Sequence, residues 1–286
     1  MSRLEYHRPT SVGEALGLLG RLGPTAVVAA GATDVWVNLR LKKIKPGAVV
    51  SLRNIPELNY LSVEGDTLRL GAATPHSVVE DSEWIGEKFP ALRQACASVG
   101  SRQVRNVGTV GGNLCNAAPS ADTAVALLLY DASLEIAGPH GTRTLPVAEF
   151  FRGPGVSALG PGELLTGISL KAPAGKSWSG YIKHTRRKAM ELPLLGVGAL
   201  VTLGADGQTV TSARFALGVA APTPMRALAA EEFLTGKKFT PEIVAEAASV
   251  AAGEARVRDS WRARGWYRQD MIKVLIPRVF TDAGAF

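Results

Sequence analysis

Two glycine-centred turns hold the residue types in this chain best suited to gripping a ligand. The first, Val28-Ala29-Ala30-Gly31-Ala32-Thr33-Asp34, runs a short apolar strand into a glycine just before a helical stretch. The second, Gly108-Thr109-Val110-Gly111-Gly112-Asn113-Leu114-Cys115-Asn116, sets two adjacent glycines among Thr109, Asn113 and Asn116, which offer hydrogen bonds. A pyrophosphate needs successive backbone N–H groups with no Cβ in the way, near a helix N-terminus that favours negative charge. Neither turn is the G-x-G-x-x-G of a Rossmann domain or the G-x-x-x-x-G-K-[ST] of a P-loop. Taken singly, each also reads as a strand-to-helix connection with glycine for geometry. Together, in separate blocks, they point to one dinucleotide shared between two subdomains. Asp122 opens the helix after the second turn; its carboxylate suits either a helix cap or an acceptor for the hydroxyls of a ribityl chain.

The elements that position these turns fall into three blocks. In residues 1–54, Thr10 or Ser11 caps a helix over Val12–Leu19, followed by a strand at Ala26–Ala30, a helix at Asp34–Lys42 and a strand at Ala48–Leu52. Residues 55–176 open on alternating runs around Gly65-Asp66, a hairpin signal. Helical patterns follow at 75–81, 90–98 and 121–130, then strands at 133–136, 142–145 and 163–170. Ala172-Pro173-Ala174-Gly175-Lys176-Ser177 is the linker. Residues 177–286 carry two long strands, 195–203 and 210–219, then helices at 224–234, 241–252 and 267–279. Strands first and helices afterwards predict an α+β domain.

The 286 residues are long enough for two or three domains with buried cores. Two cysteines, Cys96 and Cys115, are too few for a disulfide framework or a four-cysteine cluster. Cys115 is expected to be a small packing residue. The opening residues lack the apolar core of a signal peptide. The longest apolar run, 123–130, is far short of the roughly 20 residues that span a bilayer. The chain therefore reads as cytoplasmic, with no transmembrane segment. Lys and Arg exceed Asp and Glu by 32 to 25, a net +7, which suits an acidic partner or a phosphate-rich cofactor. No interleaved aromatics accompany the basic runs, so nucleic acid is not expected as a partner. The run from Arg256 to Arg278 reads as a solvated face or a docking surface. His7, His76, His140 and His184 stand apart in sequence, each expected to be structural or exposed. No Ser/His/Asp arrangement, metal-spaced His or Cys, or carboxylate pair offers catalysis.

Thr109-Val110-Gly111-Gly112-Asn113-Leu114-Cys115-Asn116-Ala117-Ala118-Pro119-Ser120-Ala121-Asp122 closely resembles the FAD-binding segment of the xanthine dehydrogenase and carbon monoxide dehydrogenase families. Ala30-Gly31-Ala32-Thr33-Asp34 resembles their other phosphate loop, with Ala32 where a second glycine is usual. Arg187-Lys188-Ala189-Met190-Glu191-Leu192-Pro193 is similar to the R-x-x-M-D-[IL]-[AP] stretch opening their C-terminal domain. The resemblance covers essentially the whole chain. It implies an α+β fold: two α/β FAD-binding subdomains of the PCMH type, then a C-terminal α+β domain with an antiparallel sheet and helices. It also implies that Ala29, Ala30, Gly31, Ala32, Thr33 and Asp34, with Thr109, Gly111, Gly112 and Asn113, hold the FAD pyrophosphate. Asp122 would then bind the ribityl chain, Lys183 would lie near the polar edge of the isoalloxazine and Leu192 near its face. By the same resemblance, the molybdenum cofactor sits on a large partner subunit and two 2Fe–2S clusters on a small one. The expected assembly is a dimer of heterotrimers delivering electrons to an external acceptor. Two other readings remain: a stand-alone FAD-dependent oxidoreductase on the same fold, and a non-catalytic binding module.

Overall fold

A computed structural model describes residues 4–286, so the first three residues of the opening block lie outside the described part. The first layer is a three-stranded parallel sheet in the order β1-β3-β2, built from β1 (Glu5–His7), β2 (Ala26–Ala29) and β3 (Ala48–Ser51). Helices α1 (Val12–Leu22) and α2 (Thr33–Arg40) make its connections. Ser11 caps α1 by accepting from the Glu14 amide at 3.1 Å, as a β-region Ser before an apolar-periodic run should. Ala15, Leu19 and Val50 then form a small core with Ile55, Leu58 and Leu164.

The second layer is a five-stranded antiparallel sheet in the order β4-β5-β10-β6-β7. Its strands are β4 (Leu61–Glu64), β5 (Thr67–Gly71), β6 (Ser133–Gly138), β7 (Gly141–Pro146) and β10 (Leu164–Lys171), with a small hairpin of β8 (Phe151–Gly153) and β9 (Val156–Ser157) beside it. Between β5 and β6 the chain makes six helices: α3 (His76–Asp81), α4 (Glu83–Lys88), α5 (Pro90–Ala97), α6 (Arg102–Arg105), α7 (Val110–Cys115) and α8 (Asp122–Leu129). The segment expected as a glycine-rich turn thus contains a helix, α7. Helix α8 is buried on every side, which a continuous apolar run requires of a helix.

The third layer is an antiparallel sheet of β11 (Ser177–His184), β12 (Leu195–Leu203), β13 (Val210–Gly218) and β14 (Met225–Arg226), backed by α9 (Leu228–Leu234), α10 (Pro241–Glu254) and α11 (Gly265–Asp282). Strand β11 is an addition to the two strands legible in sequence. Helix α8 lies across this sheet on glycines: a Cβ at Gly198 would stand 2.8 Å from Leu129 Cδ1, and one at Gly218 2.9 Å from Val125 Cγ2. The main core is therefore continuous, running from Leu68 and Ile136 through α8 to Tyr181, Leu200 and Ala216. A separate core joins β12 and β13 to α9, α10 and α11.

The basic run near the C-terminus does not form one face. Arg268 is only 2% exposed, and its guanidinium donates to the carbonyls of Leu194 (2.8 Å), Arg258 and Ala263 (3.0 Å) and to Ser260 Oγ. It is an internal clamp, whereas Trp261, flanked by Arg262 and Arg186, stands out in solvent. Among the described residues, no helix is long and apolar enough to cross a membrane.

Candidate functional site

Strand β2 ends at Ala29 and the chain turns through Ala30–Ala32 into α2. Ala32 takes the left-handed conformation, φ 58° and ψ 9°, which costs a residue with a Cβ about 1–2 kcal/mol and glycine nothing. No side chain caps α2, so amides of its first turn keep the positive end of the helix without a local acceptor. Because Ala32 bears avoidable strain, Ala32→Gly should stabilise the chain by about 1 kcal/mol. Thermal melts of the native and substituted chains, each stripped of bound ligand, check this; an unchanged or lower melting temperature would show that Ala32 is unstrained.

Gly31 is where the two turns touch. A Cβ there would overlap Val107 O and lie 2.7 Å from Gly108 Cα. The second turn is more self-contained than its sequence suggests. The Val110 amide donates to Thr74 O at 3.0 Å and the Gly111 amide to Ala72 O at 2.9 Å. The Gly112 amide goes to Thr109 Oγ1 at 3.0 Å, and Asn113 N to Thr109 O. These donors are thus engaged within the protein. The need for glycine is packing: a Cβ at Gly111 would meet Ala72 O at 2.5 Å, and one at Gly112 would meet Thr109 Oγ1 at 2.7 Å. Asn113 accepts from Thr123 Oγ1 at 2.6 Å through Oδ1, which leaves its amide nitrogen as a donor.

At the other end, alternation along β11 puts Tyr181 and Lys183 on one face, opposite the first residue of α8. Tyr181 Oη donates to Asp122 Oδ1 at 2.6 Å, and Lys183 Nζ to Asp122 Oδ2 at 2.9 Å and Ser98 O at 3.0 Å. Glycine at 196 leaves room for this, since a Cβ there would stand 2.9 Å from Tyr181 Oη. Burial pushes the Asp122 carboxyl up, while Lys183 and the Tyr181 hydroxyl pull it back. Burial beside that carboxylate also holds the Tyr181 phenol well above its ordinary value.

The loop from β11 to β12 closes the same end. Glu191 accepts from the amides of Arg186 (3.0 Å) and Arg187 (2.7 Å), and these amides and cations hold its carboxyl below its ordinary value against burial. Met190, at φ 53°, donates its amide to Gly100 O at 3.1 Å. Leu192 is left half exposed. Glu191→Ala should free this loop, so that limited trypsin cuts the chain around Arg186–Lys188 several-fold faster than native. Equal cleavage rates would mean that the carboxylate does not organise the loop.

One cavity of about 670 Å³ joins these parts, within the range of small-molecule and cofactor sites. Ala30, Gly31, Ala32, Thr33, Asp34, Thr109, Gly111, Gly112, Asn113, Asp122, Lys183 and Leu192 all line it. Ala29 does not; it is buried behind the wall, paired with Ser51 in the sheet. Sequence reasoning missed His76, which lines the cavity, and Tyr181 and Glu191, which position its residues. Cys115 also lines it, and burial pushes its thiol up to about 12, which leaves it an unreactive, protonated neighbour. The cavity offers an uncapped helix start beside hydroxyl and amide side chains, then a carboxylate–ammonium pair. That sequence of groups suits a long ligand, anionic in its middle and polar at one ring edge.

Residues 2–173 match the family described as the FAD-binding domain in molybdopterin dehydrogenase, and residues 180–283 the CO dehydrogenase flavoprotein C-terminal domain. The chain is 33% identical over 282 residues to the xanthine dehydrogenase FAD-binding subunit of Escherichia coli O157:H7, covering 98% of this chain and 96% of that one. It is 32% identical over 284 residues to the carbon monoxide dehydrogenase medium chain of Hydrogenophaga pseudoflava, covering 99% and 98%. A solved structure of carbon monoxide dehydrogenase from that organism superposes with a TM-score of 0.93 at 32% identity over 99% of this chain and 98% of that one. Quinoline 2-oxidoreductase of Pseudomonas putida 86 gives 0.91 at 27% identity, covering 98% and 96%.

Proposed function

The chain belongs to the FAD-binding medium subunits of the molybdenum hydroxylase family, and on that premise we propose that it passes electrons from a partner's iron–sulfur clusters through FAD to an external acceptor. The observation that carries this is the single cavity reached by both turns and by the Asp122–Lys183 pair. Amides from Gly31 to Asp34, with the side chains of Thr109 and Asn113, hold the diphosphate against the start of α2. Gly111 and Gly112 keep the second turn close enough for those side chains to reach. Asp122 would accept from the ribityl hydroxyls, Lys183 would set a positive charge at the polar edge of the ring, and Leu192 would lie near its face. When bound, FAD supplies the electron-transfer chemistry, and the protein tunes and positions it.

The partners in this reading are a large molybdenum-cofactor subunit and a small subunit with two 2Fe–2S clusters, assembled as a dimer of heterotrimers in the cytoplasm. Purifying the native complex tests it. One FAD per copy of this chain, together with iron, acid-labile sulfide and molybdenum in the same particle, is the expected result. Flavin on a chain that turns over substrate with no partner would favour a stand-alone flavoenzyme instead. A flavin-free particle would overturn both.

A further inference from the structure

The loop between α10 and α11 holds Trp261 77% exposed, more open to solvent than any other large apolar side chain among the described residues. The loop is internally braced: Ser260 N donates to Ala263 O at 3.0 Å, Gly265 N to Asp259 Oδ1 at 2.8 Å, and the Arg268 guanidinium clamps it from inside. The guanidinium carbon of Arg262 lies 4.4 Å from the centre of the Trp261 ring and that of Arg186 5.7 Å, both within reach of a cation–π contact. Trp266, 66% exposed, meets Tyr267 edge-on at 5.9 Å, and the Tyr267 hydroxyl hydrogen-bonds His184 Nε2 at 2.9 Å. Both tryptophans are therefore tied to residues just beyond Lys183, at the ring end of the cavity. Arg268 adds a bond to Leu194 O at 2.8 Å, joining this loop to the one whose Met190 and Leu192 line the cavity. The acids nearby are engaged: Asp259 accepts from Arg264 at 2.8 Å, and Glu191, at 6% side-chain exposure, is shielded by Arg186 and Arg187. The outward charge of this surface is positive.

We propose that this surface is the docking site of the iron–sulfur subunit, with Trp261 as its anchor and an acidic face of the partner set against Arg186, Arg187 and Arg262. The proposal rests on the assignment of FAD to this cavity and of its electron donor to a partner. Tryptophan and arginine are enriched where protein interfaces concentrate their binding energy, the aromatic anchor being shielded from water by its neighbours. A donor subunit must stay close to the ring it reduces, which places it at the end where Lys183 and Leu192 stand. A resident subunit would also keep both tryptophans covered, whereas a visiting acceptor would leave them in water for most of each cycle. Opposite charge on the partner steers the encounter and makes it sensitive to salt.

The experiment uses the co-expressed complex, with this chain native or carrying Trp261→Ala, Arg262→Glu or Lys176→Glu, and follows its dissociation by gel filtration across dilution and salt series. None of the three positions lines the cavity, so the flavin content and melting temperature of the released chain should match native. Trp261→Ala should weaken retention of the iron–sulfur subunit by roughly tenfold or more. Arg262→Glu should weaken it most at low salt, the difference shrinking as salt screens the charge. Lys176→Glu makes the same change of charge beside the opposite end of β11 and should stay within about twofold of native. Trp261→benzoylphenylalanine, photolysed in the complex, should link this chain to the iron–sulfur subunit. A link to the large subunit, or none, would overturn the proposal, as would native affinity in Trp261→Ala or an equal loss in Lys176→Glu. A native particle with flavin and no iron–sulfur subunit would instead refute the electron-donor reading on which the surface depends.

Discussion

Gly31→Ala is expected to strip the chain of retained FAD. The methyl group would overlap Val107 O and press within 2.7 Å of Gly108 Cα, and both neighbours are backbone, with no flexible side chain to swing aside. Overpacking of this kind costs typically about 1–3 kcal/mol and sometimes more; the rigid neighbours put this site at the upper end, about 3 kcal/mol. The turns can relieve the clash only by separating, which moves the α2 amides away from Thr109 and Asn113. A shift near 1 Å is enough to spoil charge-assisted hydrogen bonds, which are sharply distance-dependent. After gel filtration, the substituted chain should hold less than about a tenth of the native flavin, and its melting point should fall by several degrees. Gly17→Ala in α1, where a Cβ meets nothing within 4 Å, is the control and should be neutral or slightly stabilising. Full flavin content in Gly31→Ala would show that the close approach of the turns is not what holds the cofactor.

The second large effect concerns Lys183. Its ammonium and the Asp122 carboxylate are both nearly enclosed, at 11% and 6% side-chain exposure. Removing one member of a buried pair leaves the other uncompensated, at about 3–5 kcal/mol. Lys183→Met should therefore lower stability as well as making reduction of the bound flavin less favourable. The pH dependence has a definite sign. Burial already raises the Asp122 carboxyl, and loss of the cation raises it further. A carboxyl with a higher pKa folded than unfolded binds its proton more tightly in the native state, so its stabilising effect is present below the unfolded pKa and lost as pH rises through the folded one. The melting-point gap between native and Lys183→Met should accordingly narrow toward pH 5 and widen toward pH 8. Pairing Lys183→Met with Asp122→Asn should recover much of the stability while the flavin potential stays low, which separates the two effects. A gap independent of pH would mean that Asp122 is not the group left uncompensated.

Much of the site was legible in the sequence because its signals are local. Strand, glycine and helix start in the first turn, the Thr109–Asn113 segment and Asp122 at the head of α8 all lie within short windows, and each lines the cavity. The reasons behind the glycines were less visible. Gly111 and Gly112 look like openings for a phosphate, yet they answer to Ala72 and Thr109, and nothing in a linear pattern says which distant backbone a missing Cβ would have met. Tyr181 escaped notice because its tie to Asp122 spans 59 residues. Strand β11 was obscured by Gly180 and the polar residues around it, although that glycine is what admits Val279 and Gln94. His76 gave no pattern at all; only burial without a partner marks it.

The seating of α8 on bare glycine backbone bears on how the polypeptide can be divided. Two sequence families meet near residues 174–179, and a cut there looks natural on paper. Yet such a cut would uncover Val125 and Leu129 on one fragment and the flat glycine track of β12 and β13 on the other. Each fragment would carry a greasy scar and half of an ion pair. Neither part keeps a finished surface without the other, so heat should melt both in a single step.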